Sequence, residues 1–415
     1  MCGIAGIITI KNSKIDSTVV ENVKRSLEHR GPDHSSHQFI KESVCLIHTR
    51  LSIIDLNDRS NQPFQSNDER YTIVFNGEIY NYKELRKELE TKGHKFITNG
   101  DTEVLLQGYI EYEEKILNKL RGQFAFVIYD KITNELFMAR DRIGIKPLYY
   151  SVNDNWILFG SEIKAIELSK LIEFEPDIDS YLAYLRHLCV PADSTGNKNI
   201  KKLEPGQFIR IDKNGKISKK IYWDPFTFSV NHDLNEKNVV EELDRLLNES
   251  VEYRKVSDVE VGLFLSGGLD SSLLGKLMKQ NSDSSLKAFN VDFEENFEGY
   301  KGELKEARYA SSEIGINLNE EKINFDNFKE IFDNYAYYQD DLVGDEVGIP
   351  LYFLGKSSRS SGIKVVLVGE GSDELFFGYD HWNRLLKLSK YKKPYSSTNN
   401  KSVSYTHLTL PTIGC

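Results

Sequence analysis

Two patterns of apolar and polar positions divide this chain, and they predict two differently built halves. In residues 1–225, apolar runs of strand length, such as 2–10, 44–54 and 124–130, alternate with polar turns. Beyond about residue 235, strand-length runs at 259–265, which is rich in Val and Leu, and at 288–293 alternate with segments of helical spacing. Such alternation is typical of a parallel sheet covered by helices. We therefore predict one domain at 1–225 and a second at 235–395, with the boundary between 225 and 235.

Helical spacing predicts several helices within this division. Residues 82–92 form an amphipathic helix with Leu85 and Leu89 on one face, and residues 303–315 form another in the second half. A longer stripe at 238–253 predicts a helix whose apolar face packs in the core. The stripe consists of Val239, Leu243, Leu246, Leu247 and Val251.

The composition of the 415-residue chain argues against several classes of binding partner and site. With 63 acidic and 53 basic residues the net charge is -10, which argues against nucleic acid or an anionic membrane as the main partner. The four cysteines show no CxxC spacing, so neither a disulfide framework nor a zinc site is indicated. No apolar run approaches the roughly 20 residues of a membrane span. We expect a cytoplasmic protein with small-molecule partners.

Cys2 is the first candidate for chemistry. If Met1 is removed, the thiol and a free α-amine stand on one residue, and the amine can accept the thiol proton near neutral pH. A small apolar residue opening an edge strand is the alternative. That alternative would be favoured if Cys2 stood alone.

Other polar residues interrupt the strands of the first half, each with a structural alternative. Arg50 could bind a carboxylate through its planar fork, or be an edge charge. Asn76 and Gly77 could both face an oxyanion, although Asn-Gly after an apolar strand is first a turn signal. Glu78 would then hold an ammonium group. Asp101 could do the same, or cap the next helix.

A glycine loop between strand and helix marks the second half. Residues 266–272 read Ser-Gly-Gly-Leu-Asp-Ser-Ser directly after an apolar strand. Glycine backbone, serine hydroxyls and a helix N-terminus together favour phosphate binding, and Asp270 among phosphates indicates magnesium. The loop lacks the Gly-Lys-Ser/Thr of a Walker A motif. The alternative is a glycine turn capped by serine.

An acidic loop follows the last predicted strand, at 364–368. Residues 369–375 read Gly-Glu-Gly-Ser-Asp-Glu-Leu and supply three acids. A solvated acidic turn is the alternative. Because the alternating pattern predicts a doubly wound parallel sheet, we expect ligands at the carboxyl ends of its strands.

Several of these stretches together resemble a known family. The first half resembles the glutaminase domain of glutamine-hydrolysing asparagine synthetases, a class II (N-terminal nucleophile) amidotransferase, and 266–272 resembles the pyrophosphate loop of ATP pyrophosphatases that adenylate a carboxylate. The resemblance implies an α+β four-layer αββα sandwich followed by an α/β doubly wound parallel-sheet nucleotide-binding domain. The first-half stretches that carry it are 1–4, 27–33, 50–55, 76–81, 101–104, 140–150 and 161–165.

The resemblance also implies a role for each matched residue of the glutaminase half. Cys2 is the nucleophile and base, and Arg50 binds the glutamine carboxylate. The oxyanion hole is formed by Asn76 and Gly77. The α-ammonium is held by Glu78 and Asp101.

In the synthetase half the resemblance implies binding of ATP and Mg²⁺. Adenine would lie near Leu265 and Val291, and Asp270 and Asp373 would serve magnesium. Glu370 would assist formation of the β-aspartyl-AMP intermediate or its attack by ammonia. The full ATP set is Leu265, Ser266, Gly267, Gly268, Asp270, Ser271, Ser272, Val291, Val368 and Gly369.

Two substitutions and the last 20 residues depart from the family pattern. Val368 stands where a serine is usual, and Phe377 where a glycine is usual before Gly378. Both put the specificity for aspartate in doubt. Residues 396–415 do not resemble the family, so we expect a non-native tail and a longer native gene.

These features predict a glutamine-dependent asparagine synthetase that uses glutamine, ATP and L-aspartate. Ammonia released at Cys2 would amidate the adenylated aspartate, giving asparagine, AMP and pyrophosphate. One alternative is a sibling amidotransferase acting on a sugar acid or a secondary metabolite. Another is a non-catalytic relative that senses glutamine or nucleotide. The resemblance also suggests a homodimer.

Overall fold

A computed structural model describes residues 1–11, 13–229, 235–280, 286–294, 302–345 and 347–389. The predicted tail at 396–415 lies outside these described residues, as does 230–234 within the predicted boundary. The described chain forms two compact units. Unit 1 comprises 1–260 and 326–349, and unit 2 comprises 261–325 and, as far as the chain is described, 350–389.

Unit 1 contains two antiparallel sheets. Sheet A has the order β10-β8-β9-β1-β3-β2, and sheet B the order β12-β11-β7-β6-β5-β4. The strands are β1 (Gly3–Thr9), β2 (His34–Lys41), β3 (Val44–Arg50), β4 (Phe64–Gln65), β5 (Tyr71–Ile79), β6 (Gly122–Asp130), β7 (Glu135–Arg140), β8 (Tyr149–Val152), β9 (Trp156–Gly160), β10 (Lys201–Lys202), β11 (Gln207–Ile211) and β12 (Ile217–Ile221).

Helices lie on the outer face of each sheet. Those that begin in the first 260 residues are α1 (Ser17–Ser26), α2 (Tyr82–Thr91), α3 (Asp101–Tyr112), α4 (Ile163–Glu167), α5 (Ile178–His187) and α6 (Glu236–Arg254). Short 3₁₀ turns occur at Asp58–Ser60, Glu113–Asn118 and Pro225–Thr227.

The period of two along β6 shows how the layers form. Ala125, Val127 and Tyr129 belong to the apolar cluster shared by the two sheets, whereas Phe126 and Ile128 belong to the cluster that packs sheet B on α2 and α3. Alternate side chains of a strand point to opposite faces, so one strand serves both layers. A third cluster packs sheet A on α1 and α4. The predicted αββα sandwich is confirmed.

Unit 2 is built on a four-stranded parallel sheet of order β15-β14-β13-β16. The predicted α/β doubly wound domain is therefore also confirmed. Its strands are β13 (Val261–Phe264), β14 (Lys287–Phe293), β15 (Asn317–Ile323) and β16 (Val365–Leu367). The other helices among the described residues are α7 (Leu269–Gln280), α8 (Leu304–Ile314), α9 (Phe325–Gln339), α10 (Gly348–Ser360), α11 (Ser372–Phe376) and α12 (Asp380–Ser389).

The order of strands reverses beside β13. The chain runs outward from β13 through β14 to β15, and β16 then returns to pair with the other side of β13. Loops that leave the carboxyl ends of two such strands border a crevice, which is where open α/β sheets bind ligands. The glycine loop and the acidic loop leave β13 and β16 at this point.

Three sequence expectations need correction. The strand predicted at 44–54 ends at Arg50, and Asn76-Gly77 is not a turn, because β5 continues to Ile79 in register with β6. The apolar stripe of α6 is not core packing: of its residues only Val251 is buried, whereas Val239 and Leu246 are more than two fifths exposed.

Unit 1 also includes residues 326–349, which lie far along the chain from the rest of that unit. The predicted domain boundary at 225–235 falls inside unit 1. Among the described residues, no helix combines the length and apolar character needed to cross a membrane.

Candidate functional site

A cavity in unit 1 brings the predicted glutamine-site residues together. They come from separate parts of the fold, namely the start of β1, the end of β3, the end of β5 and the start of α3. The predicted residues in its lining are Cys2, Arg50, Asn76, Gly77, Glu78 and Asp101.

Cys2 lies immediately before β1, and backbone contacts hold it in place. Arg30 Nε donates to the Cys2 carbonyl oxygen at 3.0 Å, and the Cys2 thiol lies 3.8 Å from the Leu51 carbonyl oxygen. Burial raises the pKa of the Cys2 thiol, so the thiol needs a base to become a thiolate. In the described chain Met1 is present and carries the α-amine, whose pKa burial lowers to about 5.

The Asn76 side chain is the most informative feature of the cavity. Asn76 is 1% exposed, and among the described residues neither its Nδ2 nor its Oδ1 has a hydrogen-bond partner. Leaving a buried amide unpaired costs about 1–3 kcal/mol. An unpaired carboxamide on a cavity wall therefore favours a polar ligand there.

The backbone around Gly77 explains how a second donor reaches the same cavity. Phe124 faces Gly77 across the β5–β6 ladder but does not bond to it. Instead, the Phe124 carbonyl accepts from Asp141 N, and Phe124 N donates to the Asp141 side-chain atom Oδ2. Gly77 therefore occupies a non-hydrogen-bonded pair, and its N–H points away from β6. A Cβ at Gly77 would overlap the Gln123 carbonyl oxygen, so this approach requires glycine.

Neighbouring N–H groups on that edge of β5 are taken by side chains. Phe75 N donates to Gln62 Oε1 at 2.6 Å, and Ile79 N donates to Asp101 Oδ2 at 2.9 Å. The Gly77 N–H lies between these two positions on the same edge, because alternate residues of a strand direct their N–H groups to the same side. The Gly77 N–H thus lies between two backbone N–H groups that are already bonded to side-chain oxygens of Gln62 and Asp101.

Arg50 is held at the end of β3 by oxygen atoms of the following loop. Its Nη1 donates to the Asn57 carbonyl and to Asn61 Oδ1, and its Nη2 donates to the carbonyls of Ile54 and Asp55. A carboxylate would bind to Nε or replace one of these acceptors. The predicted binding of the glutamine carboxylate by two hydrogen bonds therefore requires that at least one of these oxygen atoms gives up its bond to an Arg50 Nη group.

The cavity is lined by charged groups of both signs, namely Asp101, Glu78 and Lys146. Burial raises the pKa of Asp101 to about 7, although the Ile79 N–H acts against this shift. Burial also raises the pKa of Glu78, opposed by the positive charge of Lys146. Burial lowers the pKa of Lys146, opposed by Glu78. In the structure Gly100 occupies the N-cap position of α3 and Asp101 is its first residue, so the N-cap alternative for Asp101 is wrong.

Sequence reasoning missed three participants in this site. Lys146 lines the cavity, Arg30 contacts Cys2, and Leu51 supplies the carbonyl nearest the thiol. Lys146 and Arg30 lie inside stretches that carried the resemblance, so charged residues there were the available signal. Leu51 acts through its backbone, which its side-chain type does not reveal.

The predicted phosphate loop has a defined backbone in unit 2. Gly267 has a φ of 86°, and a Cβ there would overlap the backbone of Glu306 and Ala307 in α8. Ser266 Oγ accepts from Gly268 N at 3.2 Å and lies 2.9 Å from Ser271 Oγ. The loop therefore needs glycine for both its conformation and its packing.

The adenine candidates lie at the carboxyl ends of the neighbouring strands. Leu265 is buried directly after β13 and donates to the Phe289 carbonyl, and Val291 is half-buried in β14. Asn290 Nδ2 donates to the Leu265 carbonyl at 2.8 Å, while its Oδ1 has no partner among the described residues. Asn290 was not predicted.

The acidic loop meets the phosphate loop through Gly369. A Cβ at Gly369 would lie 3.0 Å from Ser271 N and 3.3 Å from Asp270 Cβ. Asp270 and Ser272 lie in the first turn of α7 and Asp373 in that of α11, whereas Glu370 is exposed between Gly369 and α11.

Asp270 and Asp373 are the two carboxylates predicted to bind a magnesium ion shared with phosphates. The described residues contain no group of three or more His, Cys, Asp or Glu side chains that could hold a metal. Mg²⁺ needs no such group, because it is usually bound by one or two carboxylates together with substrate phosphates and water. Asp270 lies at the point where the two loops meet, and Asp373 lies in the first turn of α11, four residues after Gly369.

The two departures from the family pattern both lie in the part of the chain that follows β16. Val368 directly follows β16 and is 39% exposed. Phe377 ends α11 in the left-handed region with a φ of 58°, a conformation that glycine adopts without strain. Its ring packs edge-on against Trp382, with ring centroids 5.7 Å apart.

Comparison with known families gives two matches that together span most of the chain. Residues 1–223 match the profile described as "Glutamine amidotransferase domain", and residues 242–411 match the one described as "Asparagine synthase". The first match alone covers more than half of the chain.

Individual relatives agree with this assignment. "Asparagine synthetase [glutamine-hydrolyzing] 1" of Bacillus subtilis is 37% identical over 95% of this chain and 61% of its own length. "Putative asparagine synthetase [glutamine-hydrolyzing] 2" of Methanocaldococcus jannaschii is 34% identical over 91% of this chain and 76% of its own length. "Amidase chry2" of Gibberella zeae is 33% identical over 92% of this chain and 60% of its own length.

This chain therefore spans less than two thirds of the length of the Bacillus and Gibberella relatives. The Methanocaldococcus relative, however, is matched over 76% of its length. This relative and the two profile matches point to the same family. The chain belongs to the asparagine synthetase family of glutamine amidotransferases.

Proposed function

We propose that this protein hydrolyses glutamine at Cys2 and transfers the ammonia to a carboxylate activated by ATP. The observation that carries the proposal is the buried, unpartnered Asn76 carboxamide beside the Gly77 N–H in a cavity that also contains Cys2. Two hydrogen-bond donors in the cavity that holds a nucleophile are the groups that stabilisation of a tetrahedral oxyanion requires.

The proposed reaction begins when Met1 is removed. The freed amine takes the Cys2 thiol proton, and the thiolate attacks the glutamine side-chain amide. Asn76 Nδ2 and Gly77 N stabilise the oxyanion, and the α-ammonium of Cys2 returns the proton to the amide nitrogen, which leaves as ammonia. Water then cleaves the thioester, which releases glutamate and restores the Cys2 thiol. Arg50 binds the substrate carboxylate, while Glu78 and Asp101 bind its ammonium.

In unit 2, ATP would bind at the loops that follow β13 and β16. Ser266, Gly267 and Gly268 would contact phosphate, and Leu265 and Val291 the adenine. Asp270 and Asp373 would hold Mg²⁺, which neutralises charge on phosphate oxygens. We propose L-aspartate as the acceptor, Glu370 as a participant in its activation or amidation, and the cytoplasm as the compartment.

A second candidate acceptor is a different carboxylate. Val368 and Phe377 alter the loops beside the nucleotide residues, and one relative of similar identity is named an amidase. The chemistry would be the same, with a sugar acid or secondary metabolite in place of aspartate.

Cys2→Ala tests the nucleophile, with Cys45→Ala as its control. Cys45 is a buried free cysteine in β3 that does not line the cavity. We expect Cys2→Ala to abolish glutamate release and to leave ammonia-dependent amidation in a protein with a complete synthetase domain, while Cys45→Ala retains both. Unchanged glutamate release in Cys2→Ala would refute the assignment. Pyrophosphate release measured with a panel of carboxylates identifies the acceptor.

A further inference from the structure

A chain of contacts in unit 1 links the Cys2 backbone to a distant segment of the sequence. Arg30 donates from Nε to the Cys2 carbonyl at 3.0 Å and from Nη1 to Glu162 Oε1 at 2.8 Å. Glu162 Oε2 lies 2.6 Å from Lys164 Nζ. Glu162 is 5% exposed, so water competes little with these ion pairs.

Asp340 completes this chain from the segment 326–349. Its carboxylate accepts from the backbone N–H groups of Ile163 and Lys164, the first two residues of α4, and its Oδ1 lies 3.5 Å from Lys164 Nζ. The Lys164 ammonium also donates to the Tyr337 carbonyl at 2.6 Å and lies over the Tyr337 ring. One carboxylate therefore anchors both the backbone and the side chain at the start of α4.

The start of α4 is tied equally closely to β1. Ile4 N donates to Ser161 Oγ at 3.0 Å, and Ser161 N donates to the Ile4 carbonyl at 2.8 Å. A shift of residues 161–164 would therefore move both ends of the short stretch that carries the nucleophile, through Arg30 at Cys2 and through Ser161 at Ile4.

We propose that Asp340 is a positioning residue for the Cys2 reaction, acting through α4, Glu162 and Arg30 on the backbone of Cys2. Asp340 lies within residues 242–411, which match the asparagine synthase profile, yet it packs in the unit that contains the glutamine cavity. The segment from the synthetase half thus supports the nucleophile of the amidotransferase half. This inference rests on the proposed function of Cys2.

The test compares Asp340→Asn and Glu162→Gln with Asp345→Asn. Asp345 lies in the same segment, but its side chain is exposed and accepts from Val347 N within that segment. Glutamate release is measured without acceptor, so that the synthetase reaction does not contribute. We expect kcat to fall about tenfold or more in the first two variants, with KM within about twofold, because displaced reacting groups lose rate before affinity. Asp345→Asn keeps the wild-type rate, and Asp340→Glu restores part of it.

The double variant Asp340→Asn/Glu162→Gln separates positioning from general loss of stability. If both residues act along one path, the double variant loses little more rate than either single variant. Multiplied losses, a change in KM alone, or wild-type kcat in folded Asp340→Asn would overturn the proposal. Thermal unfolding of each variant establishes that it is folded, and Glu162→Gln decides the question if Asp340→Asn is not.

A second measurement tests this inference separately from the proposed function. Cys2 is alkylated with iodoacetamide, and the rate is followed on the Cys2 peptide by mass spectrometry. Failure of the wild-type chain to release glutamate would refute the proposed function. The alkylation rate still reports the setting of the thiol, and we expect it to differ from wild type in Asp340→Asn and Glu162→Gln but not in Asp345→Asn. Equal rates in all four proteins would overturn the role of Asp340.

Discussion

Asn76 illustrates how one residue joins local structure to chemistry. An Asn-Gly pair normally favours a turn, but here it lies within β5 because β6 pairs with that strand through Ile79. The pairing places the carboxamide in a buried position without a partner. Such an arrangement costs stability, and the oxyanion proposed to bind the amide would offset that cost.

Replacement of Asn76 measures this contribution. In Asn76→Ala the oxyanion loses one donor, so we expect kcat for glutamine hydrolysis to fall about 10²–10³-fold. The protein should be no less stable, since an unpaired buried amide is removed. Asn81→Ala is the control, because Asn81 bonds to Lys119 and Arg121 outside the cavity. A loss of activity in Asn81→Ala equal to that in Asn76→Ala would contradict the assigned role.

Asp101 gives a pH dependence whose sign follows from its surroundings. Burial raises its pKa to about 7, so the carboxyl is partly protonated near neutral pH. Only the ionised form attracts an ammonium group. We therefore expect the KM for glutamine to fall as pH rises from about 6 to about 7.5, and this trend to vanish in Asp101→Asn.

Initial-rate measurements across this pH range provide the check. Asp68→Asn is the control, since Asp68 is exposed in a turn and bonds to Ser66. The raised pKa also means that the native carboxyl holds its proton while an unfolded one has lost it. Stability contributed by this group is therefore lost between about pH 4 and about pH 7 as pH rises. A KM that rises with pH would contradict this assignment.

At the scale of elements, the loop between β13 and α7 is shaped by Gly267. Its positive φ and its contact with α8 both exclude a Cβ. We expect Gly267→Ala to destabilise unit 2 by at least about 1–2 kcal/mol, the cost of the left-handed conformation alone, and to weaken ATP binding. Hydrogen exchange of β13 peptides and ATP-pyrophosphate exchange measure the two effects.

Gly355→Ala is the matched control for this element. Gly355 lies in α10, and a Cβ there would meet nothing within 4 Å. Alanine is the better helix former by about 1 kcal/mol, so this substitution should stabilise the helix. Equal protection of β13 in the two variants would show that the loop tolerates a side chain at 267.

At the scale of the whole molecule, the two proposed reactions would take place in different units. Cys2 and its cavity lie in unit 1, and the loops proposed to bind ATP lie in unit 2. We expect Asp270→Asn to stop acceptor-dependent pyrophosphate release in a protein with a complete synthetase domain, because a magnesium carboxylate is lost. Glutamine hydrolysis should continue at the wild-type rate.

Side-by-side assays of glutamate and pyrophosphate release check this separation. Asp244→Asn, on an exposed position of α6, is a control for loss of one negative charge. Pyrophosphate release at the wild-type rate in Asp270→Asn would show that another group carries the metal.

Sequence by itself predicted the parallel sheet of unit 2, and the resemblance to a known family supplied the αββα layers of unit 1. Alternation along strands such as β6 sorts side chains into two cores, and the strand–loop–helix pattern after β13 requires a parallel sheet, because both depend on local spacing. The residue types at Cys2, Asn76 and Asp270 likewise pointed to their chemistry. These features can be read from short stretches of consecutive residues, because they do not depend on contacts between distant parts of the chain.

Tertiary structure decided what depends on distant contacts. Pairing across β5 and β6 converted a turn signal at Asn76 into a strand, and the stripe of α6 proved largely exposed because spacing reports an apolar face but not what packs on it. Asp340 reaches Lys164 across more than 170 residues, a contact that no local pattern encodes. Spacing along the chain thus set the elements, whereas long-range packing placed the polar groups beside one another.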